Sequence, residues 1–349
     1  REEPAQLVDG LLRAGRRIGR PAVLVPTDEE AAVLVAEHAG TLHDHFLFPT
    51  PRDPLLVRRL ASKQGLHDIC RESGVSSPWT VSPDSHAEID DFATTGRFPL
   101  VAKNSEAYVR RSSPAVAGTT LIERPAELRV LARRWREPPG VVLQEYLPRQ
   151  QAEDWIVHGY VDRDSVPRVL FTGVKVRSWP PHAGMTACAY AVANRELADI
   201  TTELCKRIGF HGILDLDWRL DRRDGRYKLL DFNPRAGAQF RLFETSSGVD
   251  VVRAQHLDLT GRDIPEGRGP EGRRFVVENI DLPARLGFWR SGYTTPHAPG
   301  RSPTTEGGWF AADDLAPILP MVLRHGGPIA AYISQTWHSH RLAAREEKS

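Results

Sequence analysis

The sequence predicts a soluble α/β protein with about two or three domains. First, the apolar run at residues 22–25 is followed by a turn and an apolar-periodic helix starting near Thr27 or Asp28, a βα unit of the Rossmann type. Second, strands and helices alternate through most of the chain. Third, 349 residues with 40% apolar and 26% charged side chains are enough to bury several cores.

The first half of the chain divides into three predicted parts. Residues 1–54 hold the βα unit, which lacks a Gly-x-Gly-x-x-Gly dinucleotide motif. Residues 55–97 contain linker helices: one begins near Pro54, is interrupted near Gly65 and ends at Gly74, a residue suited to a C-cap. Residues 98–148 are predicted as a small β-rich module with one or two helices.

Two further parts follow. Residues 149–261 are predicted to contain two strands around an Asp-Arg-Asp-Ser turn, an amphipathic helix capped by Asn194, and a hairpin over 212–235. Residues 262–349 form a C-terminal extension to which the sequence assigns no role. Loops are predicted over 262–272 and 294–308, which are rich in Gly and Pro.

Charge and composition indicate which classes of binding partner this protein is expected to lack. The formal charge of +1 comes from 46 basic and 45 acidic residues spread along the chain, so we expect no nucleic-acid partner. No apolar stretch approaches about 18 residues, and the first residues lack the order of a signal peptide, so we expect no membrane contact and a cytoplasmic protein. Cys70, Cys188 and Cys205 are expected to be reduced core residues.

Lysine is rare in this chain. Only 6 of the 46 basic residues are lysines. A lysine kept inside an apolar segment is therefore a candidate for contacting a phosphate in a narrow site. The alternative is that coding bias leaves a few lysines at random positions.

The hairpin carries a candidate metal site. A three-residue loop, 223–225, would place Asp217 opposite Asp231 and Asp215 opposite Asn233, with Leu229 on the same face as Asp231. Two carboxylates facing each other need a cation between them, and two carboxylates plus an amide oxygen suit Mg²⁺ on a nucleotide phosphate. The alternative is a solvated sheet face that happens to be acidic.

The segments "FPLVAKNS", "VVLQEYLP" and "KLLDFNPR", in that order and with Asp217 on the preceding strand, resemble the ATP-grasp superfamily, particularly its carboxylate-amine ligases. The order of "FTGVKVRSWPP", "GFHGILDLDW" and "DGRYKLLDFNPR" further resembles its carboligase-like branch. The resemblance implies an ATP-grasp fold after an N-terminal Rossmann-like domain. It makes residues 98–148 an α+β lid and residues 149–261 the catalytic part.

The resemblance also implies roles for individual residues. Mg²⁺ would bind Asp217, Asp231 and Asn233, and Arg235 would steady the transferred phosphoryl group or the acyl phosphate. Arg241 is a candidate for gripping a second carboxylate, and His182 lies in a loop that is either near substrate or purely structural. Lys175 and Arg177 would lie in the phosphate cleft and, with Arg235, are the candidate catalytic residues. The residues expected to bind ATP are Lys63 and Lys103 at the phosphates, Gln144, Glu145, Tyr146 and Leu147 at the adenine edge, and Glu153 or Asp154 at the ribose.

The chain departs from the family pattern in two places. The family's lid loop is often rich in glycine, whereas residues 104–118 contain a single glycine, Gly118. The phosphates would instead have to be covered by Arg110, Arg111, Ser112 and Ser113. Both expected metal carboxylates are aspartates, where glutamate is commoner in the family.

The implied reaction is ATP-dependent amide formation through an acyl phosphate, with ADP and phosphate released. Its partners would be ATP, a small acid such as an amino acid or peptide, and an amine; homodimer formation is left open. A small-molecule kinase and a non-catalytic nucleotide-binding module are the alternatives. The pairs His43/His45 and His338/His340 could each be half of a zinc site, but surface histidines are the expectation because no third ligand stands at a usual spacing.

Overall fold

A computed structural model describes residues 4–106, 114–116, 118–179, 184–291 and 304–324. The chain forms two compact units: residues 1–172 with 193–269, and residues 173–192 with 270–349. The five-part division made from the sequence stays a prediction. Within the described ranges, no helix has both the length and the apolar character that crossing a membrane requires.

The N-terminal part of the first unit is the expected strand–helix region. Its two short strands pair in parallel, with Ala22 opposite Phe46. The predicted helix start is confirmed, since the Asp28 side chain accepts a hydrogen bond from the Ala31 N–H at 2.7 Å. The first strand is shorter than the predicted run over 22–25. The elements are α1 (Pro4–Ile18), β1 (Ala22–Val23), α2 (Glu29–Glu37), α3 (Ala39–Leu42) and β2 (Phe46–Leu47).

Two helices follow, α4 (Leu56–Ala61) and α5 (Lys63–Ser73). The predicted interruption is confirmed, but it lies at Ser62, three residues before Gly65; the Ser62 hydroxyl caps α5 by accepting from the Gly65 N–H at 3.3 Å. Gly65 is needed for another reason, because a Cβ there would lie 2.4 Å from the Arg59 carbonyl oxygen. The predicted C-cap is confirmed, with Gly74 in the left-handed region at φ 68°.

The region of the expected lid forms an antiparallel sheet with strand order β3-β6-β4-β5. Its core is made of apolar side chains that include Leu100, Ile122 and Leu128. The β-rich character predicted for residues 98–148 is confirmed, with three strands and one helix in the described part of that range, and Pro125 is the first residue of that helix. The elements are β3 (Thr80–Val81), α6 (His86–Thr95), β4 (Leu100–Asn104), β5 (Thr120–Ile122), α7 (Pro125–Ala132) and β6 (Val141–Glu145).

The rest of the first unit contains the long strands. Strand order there is β11-β10-β7-β8, and β10 pairs antiparallel with β7 from Gly212 to Asp221. The Asn194 side chain caps its helix as predicted, accepting from the Leu197 N–H at 3.1 Å. The elements are β7 (Ala152–Val161), β8 (Pro167–Trp179), α8 (Arg195–Ile208), β10 (Gly212–Asp221), β11 (Arg226–Asn233) and α9 (Val251–Leu259).

The hairpin has the predicted acid pairing but a different loop. Asp221 pairs with Arg226, so the loop contains four residues, 222–225, rather than three. The pairing shifts by one between Asp217 and Trp218, which leaves Leu230 as an extra residue in β11. Leu229 therefore lies opposite Trp218 and is buried, so its expected position on the face of Asp231 is wrong.

The second unit contains the end of β8, β9 (Met185–Ala191), β12 (Arg274–Val276), α10 (Glu278–Ser291) and β13 (Thr305–Gly307). Its strand order is β8-β9-β12-β13. Residues 262–272 contain no helix or strand, as predicted. The predicted loop over 294–308 is wrong in part, because residues 305–307 pair in parallel with β12.

Candidate functional site

The hairpin aligns the acidic side chains. Asp217 lies opposite Asp231, and Asp215 lies opposite Asn233. The Asn233 side-chain amide donates to the Asp215 carbonyl oxygen at 3.0 Å, which fixes the orientation of the amide. Its oxygen has no hydrogen-bond partner within the described ranges and is left as a possible ligand.

Lys63, the first residue of α5, reaches this acidic pair. Its ammonium group is ion-paired with Asp231 Oδ1. Burial lowers the pKa of Lys63 to about 8, although Asp217 and Glu29 act in the opposite direction. The backbone N–H of Lys63 donates to Ser105 O at 3.0 Å, so the same residue also holds the chain where it leaves β4.

Lys103 brings a second ammonium group from β4. Burial, with smaller effects of Lys63 and Arg219, lowers the pKa of Lys103 to about 7, although Asp217 acts in the opposite direction. These mutual effects place three cations and Asp217 in one electrostatic neighbourhood. A phosphate group bound there would stabilise the charged form of Lys103.

The donor set around Asp217 and Asp231 suits a hard cation. Two carboxylates and an amide oxygen are the ligand types that Mg²⁺ takes from proteins, usually with waters and phosphate oxygens. In the described part of the chain, no group of three or more His, Cys, Asp or Glu side chains could hold a metal, so the amide of Asn233 would have to be the third protein ligand. His43 stacks on Phe48 and contacts Thr50, while His338 and His340 lie outside the described residues.

The side chains at the expected adenine edge are engaged with protein. Gln144 donates to the Thr80 hydroxyl at 3.1 Å, and Glu145 accepts from Lys228 at 3.2 Å and from Arg223 at 2.7 Å. The Leu147 carbonyl oxygen accepts from Arg219 at 3.2 Å.

Two backbone features complete this edge. The Glu145 N–H donates to Trp79 O at 2.9 Å. The Leu147 N–H has no hydrogen bond within the described ranges, which leaves a donor at the end of β6. Tyr146, half-buried, lies between these two residues. The assignment of residues 144–147 to adenine stays a prediction.

The two candidates for the ribose are buried in ion pairs. Glu153 is only 1% exposed and is bonded to Arg222. Asp154 accepts from Arg149 and from Arg219, each at 2.6 Å. Either carboxylate would have to leave an arginine partner to reach a sugar, so their assignment to the ribose stays a prediction without a contact in its favour.

Arg235 is held from two sides. Its Nη1 donates to Asp215 and its Nη2 to Glu29 of α2, each at 2.5 Å. Burial raises the pKa of Asp215, but His158 and Arg235 outweigh that effect and lower it to about 2. His158 Nε2 lies 3.1 Å from Asp215 without the alignment of a hydrogen bond. A Cβ at Gly237 would lie 2.4 Å from Asp215, so only glycine fits beside this group.

The sequence did not indicate Glu29 or His158. Glu29 is 206 positions from Arg235, and no local pattern predicts a contact over that separation. His158 lies on a strand that is buried along its whole length, where the pattern predicts core residues only.

The remaining predicted residues lie elsewhere. Lys175 is buried on β8 in the second unit, where the Arg177 Nε donates to Asp281 at 2.7 Å. Arg241 lies in a short 3-10 turn, Phe240–Leu242, and is exposed. His182 and the predicted phosphate-covering residues 110–113 lie outside the described residues.

Comparison with known proteins gives one curated relative. The chain is 22% identical over 241 residues to a D-aspartate ligase of Enterococcus faecium. The match covers 66% of this chain but only 57% of that ligase, so the chain spans little more than half the length of the relative. No protein-family model matches the chain.

Solved structures with a similar fold include ligases and carboxylases. An L-amino acid ligase from Bacillus licheniformis has a TM-score of 0.56 at 17% identity, over 73% of this chain and 60% of the ligase. A biotin carboxylase from Campylobacter jejuni, solved as an ATP-analogue complex, has a TM-score of 0.59 at 11% identity, over 76% of this chain and 60% of the carboxylase. A third structure is the biotin carboxylase domain of 2-oxoglutarate carboxylase from Hydrogenobacter thermophilus, a dimer in complex with MgADP, ADP and bicarbonate. It has a TM-score of 0.55 at 13% identity, over 76% of this chain and 58% of the carboxylase domain.

Proposed function

This chain has the ATP-grasp fold, and we propose that it is an ATP-dependent carboxylate–amine ligase. A carboxylate oxygen of the acid attacks the γ-phosphorus of ATP, ADP leaves, and an acyl phosphate forms. The amine nitrogen then attacks the acyl carbon, phosphate leaves, and the nitrogen loses a proton to give the amide.

The observation that most supports this proposal is the group formed by Asp217, Asp231, Lys63 and Lys103. The first step brings a carboxylate against a triphosphate, so the site must supply positive charge where negative charge accumulates. Two ammonium groups whose pKa values are lowered by burial gain most from a phosphate neighbour, because the phosphate restores the stability of their charged forms.

Mg²⁺ would be held by Asp217, Asp231 and Asn233. When bound, this ion neutralises part of the charge of the ATP phosphates. Lys63, which pairs with Asp231 in the present structure, would exchange this partner for a phosphate oxygen. Arg235, fixed by Asp215 and Glu29, would present its remaining N–H groups to the acyl phosphate.

The acid is proposed to be a small amino acid. D-aspartate is the first one to test, because the curated relative is a D-aspartate ligase. A homodimer is also part of the proposal, since one structural neighbour is a dimer; the molar mass in solution would test it independently.

The reaction is tested by incubating the protein with ATP, Mg²⁺, hydroxylamine and each member of a panel of amino acids. The true acid should give both ADP and a hydroxamate. With that acid labelled by ¹⁸O in its carboxylate, label should appear in the released phosphate. A phosphorylated product without a hydroxamate would identify a kinase instead, and ¹⁸O-free phosphate would exclude the acyl phosphate.

A further inference from the structure

Three arginine side chains converge on one buried carboxylate in the second unit. Asp281 of α10 accepts from Arg177 Nε through Oδ1 and from Arg285 Nε through Oδ2, each at 2.7 Å. Arg274 Nη2 lies 3.9 Å from the same Oδ2. The Asp281 side chain is only 5% exposed, so a single desolvated carboxylate holds the group together.

The fold builds this group from separate elements. β8 and β12 flank β9, and on the two sides of β9 Arg177 lies opposite Cys188 while Arg274 lies opposite Tyr190. Helix α10 supplies Asp281 and, one turn later, Arg285. Arg274, Asp281 and Arg285 lie close together in sequence, whereas Arg177 is 97 positions before Arg274 and is brought to them by the strand order β8-β9-β12.

The contacts with Asp281 leave most of the donors unused. Arg177 and Arg285 both use Nε, so their terminal Nη groups remain, and these have no hydrogen bond or ion pair within the described ranges. The Nε of Arg274 is buried and also has no hydrogen-bond partner there, although the guanidinium group lies beside the Cys188 thiol. A buried donor without a partner is costly unless a ligand satisfies it.

The group also carries excess charge. Three guanidinium groups and one carboxylate leave two positive charges uncompensated. Nearby carboxylates are committed elsewhere: Glu306 accepts from Arg273 at 2.9 Å, and Glu278 accepts from the N–H groups of Trp309 and Phe310, each at 3.0 Å. Burial raises the pKa of the Cys188 thiol, so that group stays uncharged near pH 7.

We propose that Arg177, Arg274 and Arg285 form a binding site for a small oxyanion with two negative charges. Guanidinium groups match the oxygens of carboxylates and phosphates by paired hydrogen bonds, and a dianion balances the excess charge. Asp281 is the positioning residue, because it orients two of the guanidinium groups through their Nε atoms. The proposal does not depend on the ligase activity.

Isothermal titration of the full chain with inorganic phosphate, malonate and acetate, without nucleotide and at low salt, tests the site. Phosphate and malonate should bind more tightly than the monoanion acetate, and the better of the two identifies the phosphoryl or dicarboxylate character of the ligand. Arg274→Gln and Arg285→Gln should each weaken binding by about tenfold or more. Arg285 is 53% exposed, so its replacement should leave the fold intact even if that of Arg274 does not.

Arg195→Gln is the matched control. It removes the same charge from a side chain that is 96% exposed and lies 3.8 Å from Asp199 on α8. Its affinity for phosphate and malonate should equal that of the parent protein. The proposal is wrong if neither dianion binds more tightly than acetate, if Arg195→Gln weakens binding as much as Arg285→Gln, or if Lys63→Met abolishes binding while Arg285→Gln does not.

Discussion

Asp217 and Asp231 lie directly opposite each other on β10 and β11, although the loop between the strands is one residue longer than the sequence predicted. The extra residue in the loop would by itself place Asp217 opposite Leu230. The irregularity between Asp217 and Trp218 leaves Leu230 unpaired and restores the acid pair. Opposed carboxylates repel each other, and the ion pair of Lys63 with Asp231 offsets part of that repulsion.

The first prediction concerns this acid pair. Asp217→Asn and Asp231→Asn should each lower the rate of ADP formation by about a hundredfold or more at saturating Mg²⁺, because each removes a charge from the proposed ion site. Far-UV circular dichroism should be unchanged. Asp199→Asn, at a side chain 74% exposed on α8, should keep full activity. Near-normal turnover in both hairpin variants would exclude the assignment of Mg²⁺ to this site.

The second prediction tests how Arg235 is positioned. A Cβ at Gly237 would lie 2.4 Å from Asp215 Oδ2 and 2.6 Å from His158 Cε1, and both side chains are buried. Gly237→Ala should therefore destabilise the protein by about 1–3 kcal/mol and lower turnover by displacing Asp215 from Arg235. Urea unfolding and ADP release measure the two effects.

Gly40→Ala is the control for this substitution. Gly40 lies in α3, and a Cβ there would meet nothing within 4 Å. Its replacement should leave turnover unchanged and stability equal or slightly higher, because alanine is the better helix former. If Gly237→Ala also leaves turnover and stability unchanged, the position of Asp215 beside Arg235 does not require a glycine at residue 237.

The sequence predicted the elements better than it predicted the contacts. Local patterns predicted the βα unit, the helix start near Asp28, the cap at Asn194 and the acid pair, and the order of the motifs predicted the ATP-grasp fold. The break at Ser62 was misplaced because a glycine inside a helix suggests an interruption, whereas Gly65 accommodates the backbone of Arg59. The close approach of the Arg59 backbone, rather than helix propensity, explains why residue 65 is a glycine.

Side-chain partners distant in sequence could not be predicted. Glu153 or Asp154 was expected to reach the ribose, yet each carboxylate is buried and bonded to an arginine. Which arginine approaches which acid depends on strand order, and local periodicity carries no information about it.

The third prediction concerns acid stability. Arg223, with help from Lys228, holds the pKa of Asp221 well below its ordinary value of 3.8. A carboxylate with a lowered pKa stabilises the folded state above about pH 4, and this contribution is lost as the pH falls toward the folded-state pKa. Below about pH 4 the free energy of unfolding should therefore fall, by up to about 1.4 kcal/mol per pH unit from this group alone.

Asp221→Asn should remove that part of the pH dependence. The free energy of unfolding, measured by urea titration at several pH values from 2.5 to 7, should fall less steeply with acid in the variant. The variant should also be less stable than the parent at pH 7, because Lys228 loses its 2.8 Å ion pair. Identical slopes in the two proteins would mean that Asp221 has no lowered pKa in the folded state.

The last prediction is that replacing Lys103 changes stability and activity in opposite directions. Burial lowers the pKa of this lysine from 10.5 to about 7, so folding disfavours its charged form. A lysine with a lowered pKa reduces stability below its unfolded-state pKa, and at pH 7 that penalty is present. Lys103→Met keeps the apolar stem and removes the ammonium group, so it should raise the free energy of unfolding by about 1 kcal/mol or more while lowering ATP turnover by about a hundredfold. Lys206→Met, on the exposed face of α8, should change neither quantity. Loss of stability together with activity in Lys103→Met would instead make Lys103 a structural residue.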